Sequence, residues 1–119
     1  MPGPEGREPD CLFCRIAGGD LDADRVLERP GTLAFRDLAP QAPTHVLVVP
    51  KAHHPTVAAL GAADPALLAE LVATADAVAG QEGLAGYRVV FNSGAQAGQS
   101  VFHVHAHVLG GRSLSWPPG

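Results

Sequence analysis

The chain has 119 residues, which is the length of one domain, and its composition of 46% hydrophobic and 17% charged residues is that of a globular protein. Its formal net charge of −4 argues against a general binder of nucleic acid or of an anionic membrane, because such proteins need a basic surface. No apolar stretch of the sequence is long enough to span a bilayer.

The first ten residues are rich in Pro, Gly and charged residues and have no apolar core of the kind found in a signal peptide. We therefore expect a flexible N-terminal arm over residues 1–10, followed by a single domain over residues 11–119. Cys11 and Cys14 lie too close together in sequence to build a disulfide framework. Together these features favour a cytoplasmic location.

The first half of the domain predicts one short helix and three strands. The apolar residues 11–16 predict one or two helical turns, and Gly18 and Gly19 end them. Residues 25–28 and 32–36 predict two strands joined by a Pro-Gly turn. Residues 45–49 are apolar and rich in β-branched side chains, which predicts a central strand.

The second half predicts a long helix and two further strands. Asp64 and Pro65 are typical of a helix N-terminus, and the apolar residues that follow recur at helical spacing. Residues 87–91 predict a strand, residues 92–100 a glycine-rich loop and residues 101–109 the last strand. The pattern predicts an α+β fold, with an antiparallel β-sheet of about five strands, one long helix and a short N-terminal helix.

Three histidines alternate with apolar residues in the last predicted strand. His103, His105 and His107 would share one face, because successive side chains of a strand point to opposite faces. Such a row fits three interpretations: buried core histidines, a metal site that uses all three rings, or a catalytic cleft. The preceding loop favours the cleft, because its glycines, amides and hydroxyl suit the binding of a phosphate ester.

Imidazole chemistry assigns different roles within this row. Neutral His105 can attack phosphorus through one ring nitrogen, provided that the other nitrogen donates a hydrogen bond. A main-chain carbonyl of the same segment is a suitable acceptor. His107 can donate to a phosphate oxygen and stabilise the charge that develops there.

Residues 103–109 resemble the His-φ-His-φ-His-φ-φ motif of the histidine triad (HIT) family, where φ is an apolar residue. Residues 98–102, 35–37 and 43–51 also resemble that family, and the terminal Trp-Pro-Pro-Gly is similar to its Hint branch, the histidine triad nucleotide-binding proteins. The resemblance implies a HIT-like fold and a homodimer. It also implies a hydrolase that binds purine nucleotides such as AMP, namely a nucleoside phosphoramidase of the adenosine 5'-monophosphoramidase type.

The resemblance also implies catalytic roles for four side chains. His105 would attack the α-phosphorus and form a nucleotidyl-histidine intermediate, which water then hydrolyses. His107 and Ser100 would hold phosphate oxygens or the leaving amine, and His45 would help to relay a proton. The chemistry would need no cofactor.

The nucleotide would be held by residues on both sides of the triad. Asn92 and the main chain of Gly98 and Gln99 would orient the ribose and phosphate, and Asp37 would accept hydrogen bonds from ribose hydroxyls. Asp37 also fits an ordinary turn residue before Pro40. An apolar base pocket would be formed by Leu12, Phe13, Ile16, Leu21 and Leu38. Ile16 and Leu38 fit core positions equally well.

Cys11 and Cys14 fit three interpretations: a redox pair, inert thiols, or half of a zinc site. The redox pair lacks the strand-to-helix context that such motifs usually have. The resemblance to some bacterial relatives implies a structural zinc bound by these cysteines together with His53 and His103. This division would leave His105 and His107 free for catalysis.

Two other functions fit the same motifs. One is a dinucleoside polyphosphate hydrolase, and the other is a nucleotide-binding or zinc-binding adaptor whose role lies in protein contacts. Trp116 fits either a tail residue packed near a site of this or the partner subunit, or an ordinary buried anchor.

Overall fold

The computed structural model describes Glu8 and residues 10–119. It confirms the α+β fold with a five-stranded antiparallel sheet. The predicted arm over residues 1–10 lies almost wholly outside the described residues. In chain order the elements are α1 (Leu12–Ala17), β1 (Arg25–Glu28), β2 (Thr32–Arg36), β3 (Thr44–Pro50), α2 (Val57–Ala63), α3 (Pro65–Gln81), β4 (Tyr87–Val90) and β5 (Ala106–Gly110).

The strands lie in the order β1-β2-β3-β5-β4, and each neighbouring pair is antiparallel. All seven residues of β3 are buried, as expected for a central strand. In its register with β5, Val46 pairs with Val108 and Leu47 pairs with His107. Since paired residues point to the same face, Leu47 and His107 lie on one face and Val46 and Val108 on the other.

Helix α3 covers the face of the sheet that carries Val46 and Val108. Its start agrees with the predicted cap, because the Asp64 carboxylate accepts a hydrogen bond from the N–H of Leu67 and Pro65 lies in the first turn. The core between α3 and the sheet contains Ala34, Val46, Val48, Leu71, Ala75, Val78, Ala106 and Val108.

No helix among the described residues is long and apolar enough to cross a membrane.

Helix α1 packs on the opposite face of the sheet, where its buried Phe13 and Ile16 meet apolar side chains of β2 and β3. The Cys11 thiol group caps this helix by accepting a hydrogen bond from the N–H of Cys14. The six-residue helix is too short to be stable alone, so its position depends on these contacts. It thereby places Cys11, Cys14 and Phe13 beside the histidine segment.

Helix α2 was not predicted from the sequence. Thr56 caps it by accepting a hydrogen bond from the N–H of Ala59, and only Leu60 is buried in it. A helix with a single buried apolar residue shows no amphipathic periodicity, so packing against α3 rather than a hydrophobic pattern supports it.

The prediction of a strand over residues 101–109 was wrong at its start, because β5 begins at Ala106. Before Ala106, two other hydrogen bonds take the place of those between the strands. The N–H of Val104 donates to the carbonyl of His54, past the end of β3, and the His103 ring nitrogen Nε2 donates to the carbonyl of Pro50. His103 and His105 therefore precede the strand, and the hydrogen bonds rather than strand alternation place their rings.

Candidate active site

A cavity of about 350 Å³ lies between α1 and the face of the sheet that carries His107. It brings together most of the side chains that the sequence predicted for catalysis and for a base pocket. Residues 22–24 and 35–36 form part of its walls. The predicted residues in the walls are Leu12, Phe13, Ile16, Leu21, Asp37, Leu38, Ser100, His105 and His107.

His105 has one ring nitrogen engaged and one available. Its Nδ1 lies 2.8 Å from the carbonyl oxygen of His103, so Nδ1–H donates and Nε2 carries the lone pair. Burial lowers the pKa of His105, which keeps the ring neutral at pH 7. The Phe13 ring meets the His105 ring edge to face at a centroid distance of 4.9 Å. The arrangement has the geometry of an oriented imidazole nucleophile.

His107 contacts both His105 and His45. The His105 and His107 ring centroids are 4.9 Å apart, and Nδ1 of His107 lies 2.9 Å from Nε2 of His45. Burial, together with these two neighbouring rings, lowers the pKa of His107 to about 4. Its Nε2 is buried and has no hydrogen-bond partner among the described residues. A buried polar atom without a partner beside a cavity is positioned to bind a ligand atom.

The carboxylate of Asp37 makes the contact of a turn residue and also lies at the cavity, while its contact with ribose hydroxyls stays a prediction. Its Oδ1 accepts a hydrogen bond from the N–H of Ala39, as in a turn, while Oδ2 lies 3.5 Å from Nε2 of His45. The residue also lines the cavity. The turn therefore fixes the carboxylate without removing it from the site.

The glycine-rich loop contributes less to the cavity than predicted. Ser100 lines it, but Asn92, Gly98 and Gln99 do not. The buried amide of Gln99 bonds to main-chain groups of Gly94, Pro55 and Val101, so this side chain holds the loop together. Contacts of Asn92 and of the Gly98–Gln99 main chain with a nucleotide stay predictions.

The structure separates the alternatives that the sequence left open for three apolar residues. Ile16 is buried in the core and also lines the cavity, so both interpretations apply. Leu38 lines the cavity rim and is fully exposed, which excludes a core role. Trp116 is 82% exposed, so the interpretation as a buried anchor was wrong for the single chain.

A second group of side chains surrounds His103, next to the histidines that line the cavity, and we call it the cysteine cluster. Nδ1 of His103 lies 3.3 Å from the Cys11 sulfur and 3.4 Å from the Cys14 sulfur, and Nδ1 of His53 lies 3.5 Å from the Cys14 sulfur. One ligand atom from each member lies within 4.8 Å of all the others. The cysteine cluster consists of Cys11, Cys14, His53 and His103.

Another set of metal-binding residue types lies at the cavity, where two of its three members, Asp37 and His107, line the wall, and we call it the aspartate cluster. Its ligand atoms also lie within 4.8 Å of one another. It consists of Asp37, His45 and His107. No motif of the sequence groups these three residues as a metal site.

Main-chain groups orient the rings of His103, His105 and His45, and the sequence indicated such an acceptor for His105 but none for the other two rings. The carbonyls of Pro50 and His103 accept from ring nitrogens of His103 and His105, and the N–H of Gln41 donates to Nδ1 of His45. Every non-proline residue carries these groups, so residue type gives no signal for their use.

Three comparisons with known proteins agree with this geometry. Residues 19–114 match the model of the family described as HIT domain. The chain is 50% identical over 111 residues to an uncharacterized HIT-like protein of Synechococcus elongatus, a match that covers 92% of this chain and 97% of that protein.

Solved structures with similar folds include two bacterial proteins. A HIT family hydrolase from Legionella pneumophila has a TM-score of 0.89 and 49% identity, with 92% of this chain and 100% of that chain covered. A histidine triad protein from Clostridium difficile has a TM-score of 0.87 and 36% identity, with 92% and 96% covered.

Proposed function

We propose that this chain, which belongs to the HIT domain family, is a purine nucleotide-binding nucleoside phosphoramidase of the Hint type. The observation that carries the proposal is the orientation of His105. Its Nδ1–H donates to the His103 carbonyl at 2.8 Å, so Nε2 carries the lone pair and is the reactive atom. Ser100 and His107 line the same cavity.

In the first step, Nε2 of His105 attacks the α-phosphorus of the substrate. A bond forms between this nitrogen and phosphorus, and the bond from phosphorus to the leaving amine breaks. The amine takes up a proton from a donor at the site, for which His107 and Ser100 are placed. The His105 ring becomes positively charged, and its Nδ1–H bond to the His103 carbonyl strengthens as a result.

In the second step, water attacks the phosphorus of the nucleotidyl-histidine. The bond from phosphorus to Nε2 breaks, and the electron pair returns to the ring. The products are the nucleoside monophosphate and neutral His105, and the remaining proton of the attacking water passes to the site or to solvent. Asp37 would hold the ribose hydroxyls in both steps, and Phe13 and Ile16 would contact the base.

The test compares wild type with His105→Ala on adenosine phosphoramidate and on a diadenosine polyphosphate. We expect hydrolysis of the phosphoramidate by wild type, with loss of more than about 1,000-fold in the variant, because removal of a nucleophile commonly costs far more than that. Tyr87 does not line the cavity, so Tyr87→Phe is the control and should retain the wild-type rate. Equal rates in wild type and His105→Ala would overturn the assignment of the nucleophile.

The same assay separates the alternatives. Faster cleavage of the diadenosine polyphosphate would favour the dinucleoside polyphosphate hydrolase, which uses the same His105 chemistry on a phosphoanhydride bond. Nucleotide binding without turnover of either substrate would instead support the adaptor function.

We also propose that the cysteine cluster binds a structural zinc ion. Tetrahedral coordination with Zn–S near 2.3 Å and Zn–N near 2.05 Å separates the sulfur and nitrogen ligands by about 3.6 Å. The three observed S···N separations, 3.3 to 3.5 Å, lie close to this value.

The protonation of the cysteine cluster also suits a metal. Burial lowers the pKa of His103 to about 4, so its Nδ1 is free to coordinate, while Nε2–H donates to the Pro50 carbonyl as metal-binding histidines commonly do. Burial raises the pKa of the Cys14 thiol to about 11, so its thiolate needs a neighbouring cation. The ion would tie α1 to the segment before β5, and reduced thiols agree with the proposed cytoplasmic location.

Metal analysis of freshly purified protein tests this second proposal. We expect about one zinc per chain in wild type and none in Cys14→Ser. Wild-type protein that folds normally without zinc would leave Cys11 and Cys14 as ordinary thiols.

A homodimer is the third part of the proposal. Val72 of α3 and Tyr87 and Val89 of β4 are large apolar side chains that remain 38 to 50% exposed in the single chain. Strand β4 is also an edge of the sheet. These elements are the proposed contact between two copies, and a molecular mass in solution equal to one chain would overturn it.

A further inference from the structure

The hydrogen bonds around His45 allow the protons on two active-site rings to be placed. Nδ1 of His45 lies 3.0 Å from the main-chain nitrogen of Gln41. A main-chain N–H can only donate, so Nδ1 of His45 must be the acceptor and carry no proton. A neutral imidazole has one N–H, so in His45 it lies on Nε2.

The same argument extends from His45 to His107. Nε2 of His45 lies 2.9 Å from Nδ1 of His107, and two N–H groups cannot point at each other at this distance. Nδ1 of His107 therefore accepts, and the proton of His107 lies on Nε2. The Asp37 carboxylate is a more distant second acceptor for the His45 N–H, at 3.5 Å, and does not change this assignment.

The Nε2 atom of His107 is the one that lacks a partner among the described residues. His107 lines the same cavity as His105, whose Nε2 carries a lone pair because its Nδ1–H donates to the His103 carbonyl. The two rings thus present opposite polarity to a substrate: His105 a nucleophilic nitrogen and His107 an N–H donor.

We propose that the main-chain N–H of Gln41, acting through His45, fixes the tautomer of His107 so that its Nε2–H is always presented to the phosphoryl or leaving group. This inference rests on the proposed function for its use in catalysis. His45 and Gln41 are positioning residues here, since they act through His107. Without them His107 would distribute its proton between two nitrogens, and part of the molecules would present a lone pair to an anionic substrate.

A contact from a residue that follows β5 holds the main chain at Gln41 in place. Nη2 of Arg112 donates to the Gln41 carbonyl at 2.9 Å, and the Gln41 side chain donates to the carbonyl of Ala39. Arg112 follows β5, the strand that carries His107. The loop that supplies the Gln41 N–H is therefore hydrogen-bonded to the end of the same strand that carries His107.

The first test measures the tautomers directly, by ¹⁵N NMR of purified wild-type protein whose histidines carry the ¹⁵N label, near pH 7.5. We expect protonated Nε2 and unprotonated Nδ1 in His107 and in His45, and the opposite tautomer in His105. A proton on Nδ1 of His107, or a mixture of its tautomers, would overturn the proposal. This result does not depend on any substrate.

The second test compares His45→Gln with His45→Leu. The glutamine amide N–H reaches the position of the His45 Nε2–H, so we expect it to preserve the His107 tautomer and to keep kcat within about tenfold of wild type. Leucine removes the donor, so His107 should show mixed tautomers and kcat on adenosine phosphoramidate should fall about 100-fold, the lower range for loss of one oriented donor. Equal kcat values in the two variants would overturn the proposal.

The third test removes the first N–H of the chain of hydrogen bonds. Proline has no main-chain N–H, so Gln41→Pro should release the His45 and His107 tautomers, whereas Gln41→Ala keeps the N–H and should leave both unchanged. Arg112→Met should weaken the tautomer preference, and Arg88→Met is its matched control because Arg88 also donates to an exposed main-chain carbonyl, that of Ser115. If Gln41→Pro does not fold, the wild-type spectrum and the His45 variants still decide the question.

The outcomes distinguish this inference from the proposed function. Correct tautomers in a protein that hydrolyses no phosphoramidate would remove the function and keep the positioning of His107. Hydrolysis by a wild-type protein with mixed His107 tautomers would keep the function and remove the positioning role.

Discussion

The cysteine cluster and the aspartate cluster each gather metal-binding residue types within 4.8 Å, yet their hydrogen bonds differ at the far ring nitrogens. In the cysteine cluster the far nitrogen of His103 donates to a carbonyl, so the near nitrogen has a free lone pair. In the aspartate cluster the far nitrogen of His45 accepts from an amide, so the near nitrogen holds a proton. A metal would have to displace that proton.

The distances support the same distinction. Two nitrogen ligands of a tetrahedral zinc ion lie about 3.3 Å apart, whereas the His45 and His107 nitrogens lie at the hydrogen-bond distance of 2.9 Å. Residue types and proximity alone therefore do not define a metal site. The main-chain group bonded to one ring nitrogen determines the state of the other nitrogen. If that group is a carbonyl, the other nitrogen has a free lone pair that can bind an ion, and if it is an N–H, the other nitrogen carries a proton.

The largest expected effect is the loss of stability on chelation of zinc, which distinguishes the cysteine cluster from the aspartate cluster. If zinc is present at about 1,000 times its Kd, its removal should lower the free energy of unfolding by about 4 kcal/mol. We expect this loss in wild type and in His45→Leu, and no further loss on chelation in Cys14→Ser. Urea unfolding with and without chelator measures it. A chelator effect that disappears in His45→Leu would place the metal in the aspartate cluster instead.

The next effect is the dependence of stability on pH. His107 has its pKa lowered to about 4 in the folded protein, against 6.5 for the ordinary side chain, so between these values the unfolded chain binds the proton. Stability should therefore be complete above pH 6.5 and fall as the pH drops toward 4, by up to about 1.4 kcal/mol per pH unit from this group.

Urea unfolding at pH 7 and pH 5 checks this prediction, with His107→Asn as the comparison. The variant lacks the titrating ring, so its stability should fall less over the same interval. The same pH dependence in both proteins would show that His107 does not cause it.

A smaller effect is expected from Asp37→Asn, which keeps the oxygen that accepts from the Ala39 N–H but removes the charge. Loss of a charged acceptor for ribose hydroxyls should weaken AMP binding about tenfold, or about 1.4 kcal/mol. Calorimetry with AMP and with adenine alone tests it, since only AMP contains the ribose. An equal loss for both ligands would contradict the ribose contact. Zinc content should not change.

The smallest effect lies outside both clusters. Arg36 at the end of β2 contacts Glu82 at the end of α3, with Nη1 2.8 Å from Oε1, and this hydrogen bond lowers the pKa of Glu82. Glu82→Gln should lower stability by only about 0.5 kcal/mol, because the pair lies at the surface and the Arg36 side chain is 41% exposed to solvent. Its zinc content and its His107 tautomer should match wild type, which makes it a control for general destabilisation.

Much of the fold was predictable from local patterns, because capping residues and apolar periodicity act over a few residues. The Asp64 cap, the Pro-Gly turn and the β-branched run of β3 all lie where the sequence predicted them. Helix α2 was missed because it buries only Leu60, and the start of β5 was wrong because a side-chain bond to Pro50 and a main-chain bond to His54 replace the ladder.

By itself the sequence determined the kind of chemistry available: alternating histidines, a paired set of cysteines and an apolar pocket, all of which depend on residue type. The fold determines which nitrogens of His103, His45 and His107 carry protons and how close the ligand atoms of each cluster lie. The carbonyl of Pro50 and the N–H of Gln41 place those protons, and residue identity does not show which main-chain groups will meet a ring until the fold brings them together. For His105 the sequence already indicated a carbonyl of its own segment, and the structure shows that of His103.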